Sequence, residues 1–87
     1  MDVHFMEMKT NSAYLLITCN EGKLDEVKTL IANLDNIKEI QETCGAYDII
    51  AKVESSSLEH LQIFIIQKIR TLVNVRSAMT LHCKPNF

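Results

Sequence analysis

The sequence predicts a single α+β domain with the element order βαββαβ. Three observations carry that expectation. Four short segments are rich in β-branched, aromatic and other apolar residues, two intervening stretches show helical apolar spacing, and the 87 residues hold one domain and little more. A domain of this size buries only roughly 60–65% of the surface its unfolded chain exposes. Association with further copies is one way to bury more.

Residues 1–12 show no clean period and are expected to form a leader before the domain at 13–84, with a short tail at 85–87. Ala13 to Cys19 (AYLLITC) is almost continuously apolar, as suits a central strand. Asn20, Glu21 and Gly22 punctuate it. Leu24, Val27, Leu30, Ile31 and Leu34 then form one helical stripe, with Asp25 and Glu26 in the first turn, where the helix dipole favours negative charge. Ile37 to Thr43 (IKEIQET) is more polar and suits an edge strand, because charge there discourages unwanted pairing. Cys44-Gly45-Ala46 reads as a tight turn, and Tyr47 to Val53 (YDIIAKV) as a second central strand. Ser56 with Glu59 fits a capping box that opens a helix carrying Leu58, Leu61, Ile65, Ile69 and Leu72. Val75 to Cys83 is the last strand, ended by Pro85.

Short right-handed connections reduce this order to few topologies. The simplest is the ferredoxin-like one: a four-stranded antiparallel sheet, order 4-1-3-2, with both helices on one face. That leaves the other face bare. Successive strand residues point to opposite faces, so Tyr14-Leu15-Leu16-Ile17 and Ile49-Ile50 place apolar side chains on both. A large open apolar face is unusual on a soluble monomer. The expectation is a dimer in which bare faces meet through residues such as Tyr14 and Leu16, giving a dimeric α+β barrel. On the second helix Ile63 lies about 160° and Ile66 about 100° from the apolar stripe. They are candidates for further subunit contacts.

Composition narrows the function classes. A formal charge of −2 with nine scattered Lys and Arg gives no electrostatic case for nucleic acid. No apolar run approaches the roughly 20 residues that span a bilayer. Asp2, Glu7 and Lys9 make the N-terminus unlike a signal peptide, so a cytoplasmic location is expected. Cys19, Cys44 and Cys83 match neither CxxC nor a disulfide framework, and small, partly buried thiols are the expectation. Two glycines exclude GxGxxG and the P-loop. His4, His60 and His82 show no metal-ligand spacing, and no neighbouring base activates a cysteine. No enzyme, cofactor or metal is expected.

The most distinctive local feature is Gly45-Ala46-Tyr47-Asp48. Backbone N–H groups of such a turn can hold a carboxylate, and the Asp48 carboxylate can accept from an ammonium group. Together they suit a zwitterionic amino acid. An equally physical reading has Gly45 make the turn, Tyr47 pack, and Asp48 bond local backbone.

From Ala13 to Lys84 the chain resembles the effector-binding C-terminal (RAM) domain of the Lrp/AsnC transcription regulators. The resemblance rests on the segments AYLLITC, EGKLDEV, TCGAYDIIAKV, LEHLQIFIIQKIRTL and NVRSAMTLHC, and GAYD followed by an apolar strand is its most specific part. It implies the ferredoxin-like fold, sheet-to-sheet dimers, rings that are often octameric, and a small effector, usually an amino acid, bound between dimers. Gly45, Ala46, Tyr47, Asp48, Ser77, Met79 and Thr80 would line that pocket. Full-length members carry a helix-turn-helix domain ahead of this one. Only some 12 residues precede the first strand here, so the chain looks like a stand-alone module that tunes full-length relatives by co-assembly. The family commonly has glycine at Asn74 and hydroxyl-bearing residues at Ala78 and Met79. Two alternatives stand beside this one: a purely structural oligomerisation or partner-binding unit, and a cofactor-free isomerase or monooxygenase using His82 in the inter-sheet cavity.

Overall fold

The computed structural model describes residues 10–84. The elements follow the expected order: β1 (Asn11–Cys19), α1 (Leu24–Ala32), β2 (Ile37–Glu42), β3 (Ile49–Ser55), α2 (Leu58–Phe64) and β4 (Val75–His82). The four strands form one sheet in the order β2-β3-β1-β4. All three pairings are antiparallel. This is the expected 4-1-3-2 arrangement read from the other edge.

Period-two burial sets the two faces apart. Ala13, Leu15 and Ile17 of β1 lie opposite Val53, Ala51 and Ile49 of β3, and all six are fully buried under the helices. Val27 and Ile31 of α1, with Leu61 of α2, close the core from above. Each fully buried Leu or Ile contributes roughly 1.5–3 kcal/mol, and these residues hold the layer together. Exposed ion pairs such as Lys28–Glu42 (2.9 Å) contribute little by comparison.

Several boundaries differ from the expectation, each for a physical reason. β1 starts at Asn11, because Asn11 and Ser12 pair with Ser55 and Glu54 of β3. β3 starts at Ile49, because Tyr47 and Asp48 belong to the turn: the Thr43 N–H donates to the Asp48 carbonyl at 2.9 Å. The α2 cap is Ser57, not Ser56; its hydroxyl accepts the His60 N–H at 3.2 Å. Leu30 (39% exposed) and Leu58 (48%) stand off their stripes, Leu30 on the flank of α1 and Leu58 at the first position of α2. Cys44 and Cys83 are exposed, and only Cys19 is buried. Pro85 lies outside the described residues.

Beyond Phe64 the second helix continues as a π-helical turn, Ile65–Ile69, in which the Arg70 N–H reaches back to the Ile65 carbonyl at 3.0 Å. Ile65 and Ile69 both remain buried through it. Asn74 ends the connection with φ 71°, a left-handed conformation that asparagine tolerates better than most side chains. Its side chain bonds Asn20 at 3.2 Å and Glu26 at 3.4 Å, tying the approach to β4 to the start of α1. Among the described residues no helix is long and apolar enough to cross a membrane.

Candidate functional site

The face of the sheet opposite the helices is a compact surface with an apolar centre. Leu16 sits between Ile50 of β3 and Met79 of β4; Tyr14 sits between Lys52 and Leu81. Met79 and Leu81 are about half exposed, at 48% and 50%. Lys52 lies 5.8 Å from the centre of the Tyr14 ring and 3.6 Å from Glu54, so this cation is held against an aromatic and a carboxylate. Tyr14 and Leu16 thus lie on the open face, as expected. Ile63 (43% exposed) and Ile66 (57%) point outward from the helical layer.

At one end of this face the apolar centre gives way to polar groups. The Thr18 and Ser77 hydroxyls meet at 2.6 Å across β1 and β4. The Asp48 Oδ2 accepts the Cys19 backbone N–H at 2.8 Å, and the Asp48 N–H donates to the Ile17 carbonyl at 2.9 Å. The Thr43 hydroxyl donates to the Tyr47 carbonyl at 2.6 Å and closes the turn. Gly45 makes that turn with φ 115°, a conformation costly for any residue with a Cβ. The Tyr47 hydroxyl lies 3.8 Å from the Met79 sulfur. Burial pushes the Cys19 thiol pKa up, the Asp48 carboxylate adds to the rise, and Arg76 opposes it.

The structure therefore brings together Tyr47, Asp48, Ser77 and Met79, with exposed Gly45 and Ala46 at the rim. Thr80 stands apart from them. It pairs with Leu15, which is fully buried under the helices, and lines a groove of about 240 Å³ on that side of the sheet with Gln62, Ile65, Ile66, Arg70 and His82. His82, paired with Ala13, lies on the same side and not on the open face. Thr18 is the residue the sequence reading missed; its hydroxyl sits at an apolar strand's end, where a pair with Ser77 follows only from the β1–β4 register. The Asp48 carboxylate bonds backbone of the neighbouring strand, at Cys19, and not that of its own turn, and it does so through one oxygen: among the described residues its second oxygen has no partner. The N–H groups of Gly45, Ala46 and Tyr47 likewise have no protein acceptor among the described residues. No three His, Cys, Asp or Glu side chains of the described residues converge on a point where they could hold a metal.

These features define a ferredoxin-like domain with one covered face, one open face and a polar turn at the open face's end. Residues 12–83 match the model of the Lrp/AsnC ligand binding domain, and the chain belongs to that family. Among curated proteins it is similar to the HTH-type transcriptional regulator FL11 of Pyrococcus horikoshii, 34% identical over 53 residues, which are 61% of this chain and 35% of the relative. The match thus spans about a third of that regulator's length. Among solved structures it resembles the hypothetical protein PHS023 of Pyrococcus horikoshii at 33% identity and TM-score 0.77, covering 85% of this chain and 89% of that one. It also resembles AsnC of E. coli at 26% identity and TM-score 0.83, covering 99% of this chain and 59% of that one.

Proposed function

We propose that this domain binds a small effector, an amino acid, and assembles with copies of itself and with full-length Lrp/AsnC-type regulators, tuning them without itself contacting DNA. The observation that carries the reading is the polar end of an otherwise apolar open face. Packing two open faces together would bury Tyr14, Leu16, Ile50, Met79 and Leu81, and would leave the Gly45–Asp48 turn at the seam. There the free oxygen of Asp48 suits an ammonium group, and the N–H groups of the turn suit a carboxylate. Met79 and Tyr47 supply an apolar wall with one hydroxyl. In this reading dimers join further, through Ile63 and Ile66, into a ring such as an octamer, in the cytoplasm.

Two measurements test it. Sedimentation from micromolar concentration downward should give a dimer or larger species, and a folded monomer throughout would refute the assembly. Calorimetry against the amino acids at millimolar concentration should give at least one heat of binding that Asp48→Ala removes, and silence across the panel would refute the sensing. The engagement of Asp48 with the Cys19 N–H favours a second reading, a purely structural assembly unit; that outcome is assembly without any ligand heat. The isomerase or monooxygenase reading is disfavoured, because His82 lies on the helix side and outside any cavity between open faces.

A further inference from the structure

Among the described residues Thr18 is the one polar side chain that is buried, at 7% exposure, although it lies on the open face. Tyr14 and Leu16, its neighbours along β1 on that face, are less buried. Tyr47 accounts for the difference. It stands just before β3, yet its hydroxyl reaches the Met79 sulfur on β4 at 3.8 Å. β1 lies between those two strands, so the Tyr47 side chain crosses it. Met79 pairs with Leu16, two residues before Thr18, and the crossing therefore falls over this end of β1.

Beneath that side chain the count of protons does not balance. The Thr18 and Ser77 hydroxyls carry one proton each and share one bond, at 2.6 Å. One proton is spent between them, and among the described residues the other has no acceptor. The Tyr47 hydroxyl has only a thioether, which accepts weakly. Two donors at this spot thus lack a good acceptor. Both stand next to the effector turn: Asp48 follows Tyr47 in the chain, and its Oδ2 holds the N–H of Cys19, which follows Thr18.

We propose that Thr18, Ser77 and Tyr47 form a subsite that reads the effector's side chain and selects one bearing an oxygen acceptor, a hydroxyl or a carboxamide, against a hydrocarbon of the same size. This subsite rests on the reading of the Gly45–Asp48 turn as the anchor for the ammonium and carboxylate groups. With those groups held there, the side chain runs over Ser77 and along Tyr47. Its oxygen takes the spare proton of the hydroxyl pair and the Tyr47 proton, while Met79 packs on its methylenes. A hydrocarbon would leave both donors unpaired in a seam that excludes water. A site built around donors rejects an isostere without the acceptor more strongly than an apolar pocket rejects a change of size.

The test is calorimetry on the full chain with free amino acids in pairs matched for shape: threonine with valine, and asparagine with leucine. Within a pair that binds, the oxygen-bearing member should bind at least about tenfold tighter, the effect of one buried donor left unpaired. Tyr47→Phe removes one donor and should reduce that preference. The double variant Thr18→Val with Ser77→Ala removes both hydroxyls together, so that neither is orphaned, and should reduce it further. Should the double variant fail to fold, Tyr47→Phe decides alone. Equal or reversed affinities within the pairs would overturn the subsite and leave the sensing role standing. So would an unchanged preference in the variants, or binding of other amino acids but of neither threonine nor asparagine. Silence across every amino acid is a different failure: it refutes the sensing itself and removes the subsite with it.

Discussion

Replacing Asp48 separates its part in the fold from its part in any ligand site. Its Oδ2 accepts the N–H of Cys19, a residue only 5% exposed, at 2.8 Å. A hydrogen bond to a charged group contributes roughly 1.5–3 kcal/mol, and a buried N–H left without an acceptor costs about 1–3 kcal/mol. These overlap and do not add, so Asp48→Ala should destabilise by about 2 kcal/mol. Asp48→Asn keeps a neutral acceptor oxygen and should lose about 1 kcal/mol. For a domain this small, 1 kcal/mol moves Tm by roughly 4–8 °C. Asp48→Ala should therefore melt about 8–16 °C below the wild type and Asp48→Asn about half as far below. All three proteins must be melted at one concentration, since assembly makes Tm concentration-dependent. An Asp48→Ala Tm within about 2 °C of the wild type would refute the structural role. So would an Asp48→Asn protein as unstable as Asp48→Ala, because the retained acceptor oxygen should still hold the Cys19 N–H.

Three further outcomes follow, from the backbone at Asn74 and from the thiols. At Asn74, φ 71° should make Asn74→Ala lose about 1–2 kcal/mol in urea unfolding, while Asn74→Gly, which gives up only exposed side-chain bonds to Asn20 and Glu26, should stay within about 0.5 kcal/mol of the wild type. A thiol reagent at mildly alkaline pH should modify Cys44 and Cys83 quickly and Cys19 only on unfolding. The Cys19 pKa is raised in the folded state, so folding holds its proton more tightly than the unfolded chain does. Its contribution to stability is full below the ordinary thiol value of 9.0 and falls as pH rises through and above it. A Cys19→Ala protein should show a shallower alkaline loss in denaturant titrations, and an unchanged slope would remove that assignment.

The fold was legible because its two central strands advertise it. Ala13 to Ile17 and Ile49 to Val53 are apolar on both faces or nearly so, which implies a buried sheet with a face the helices cannot reach. Ile37 to Glu42 carries the polar pattern of an edge, and an edge is where it lies. What the sequence hid depends on register and on contacts between distant segments. That β1 begins at Asn11 follows from where β3 ends, at Ser55. Ser55, Ser56 and Ser57 offer three similar caps, and backbone geometry alone selects Ser57. The site was half legible. Gly45 announced a turn, and Tyr47 and Asp48 stand beside Ser77 and Met79 as that turn requires. Placing Thr80 on the opposite side needs the strand alternation counted from Ala13, and pairing Thr18 with Ser77 needs the register between β1 and β4.

The widened turn in the second helix has a consequence for chain length. In a regular α-helix the eight steps from Leu61 to Ile69 would leave the two side chains about 80° out of phase, yet neither is exposed to solvent. The π-helical turn absorbs that drift by housing one residue more than an α-turn would. Removing a single residue between Ile65 and Ile69 would restore the regular helix and leave both anchors pointing inward. A frame slip that would wreck an ordinary amphipathic helix is here nearly silent in the core, and its effect falls on the outer surface, where it changes which side chains border the groove.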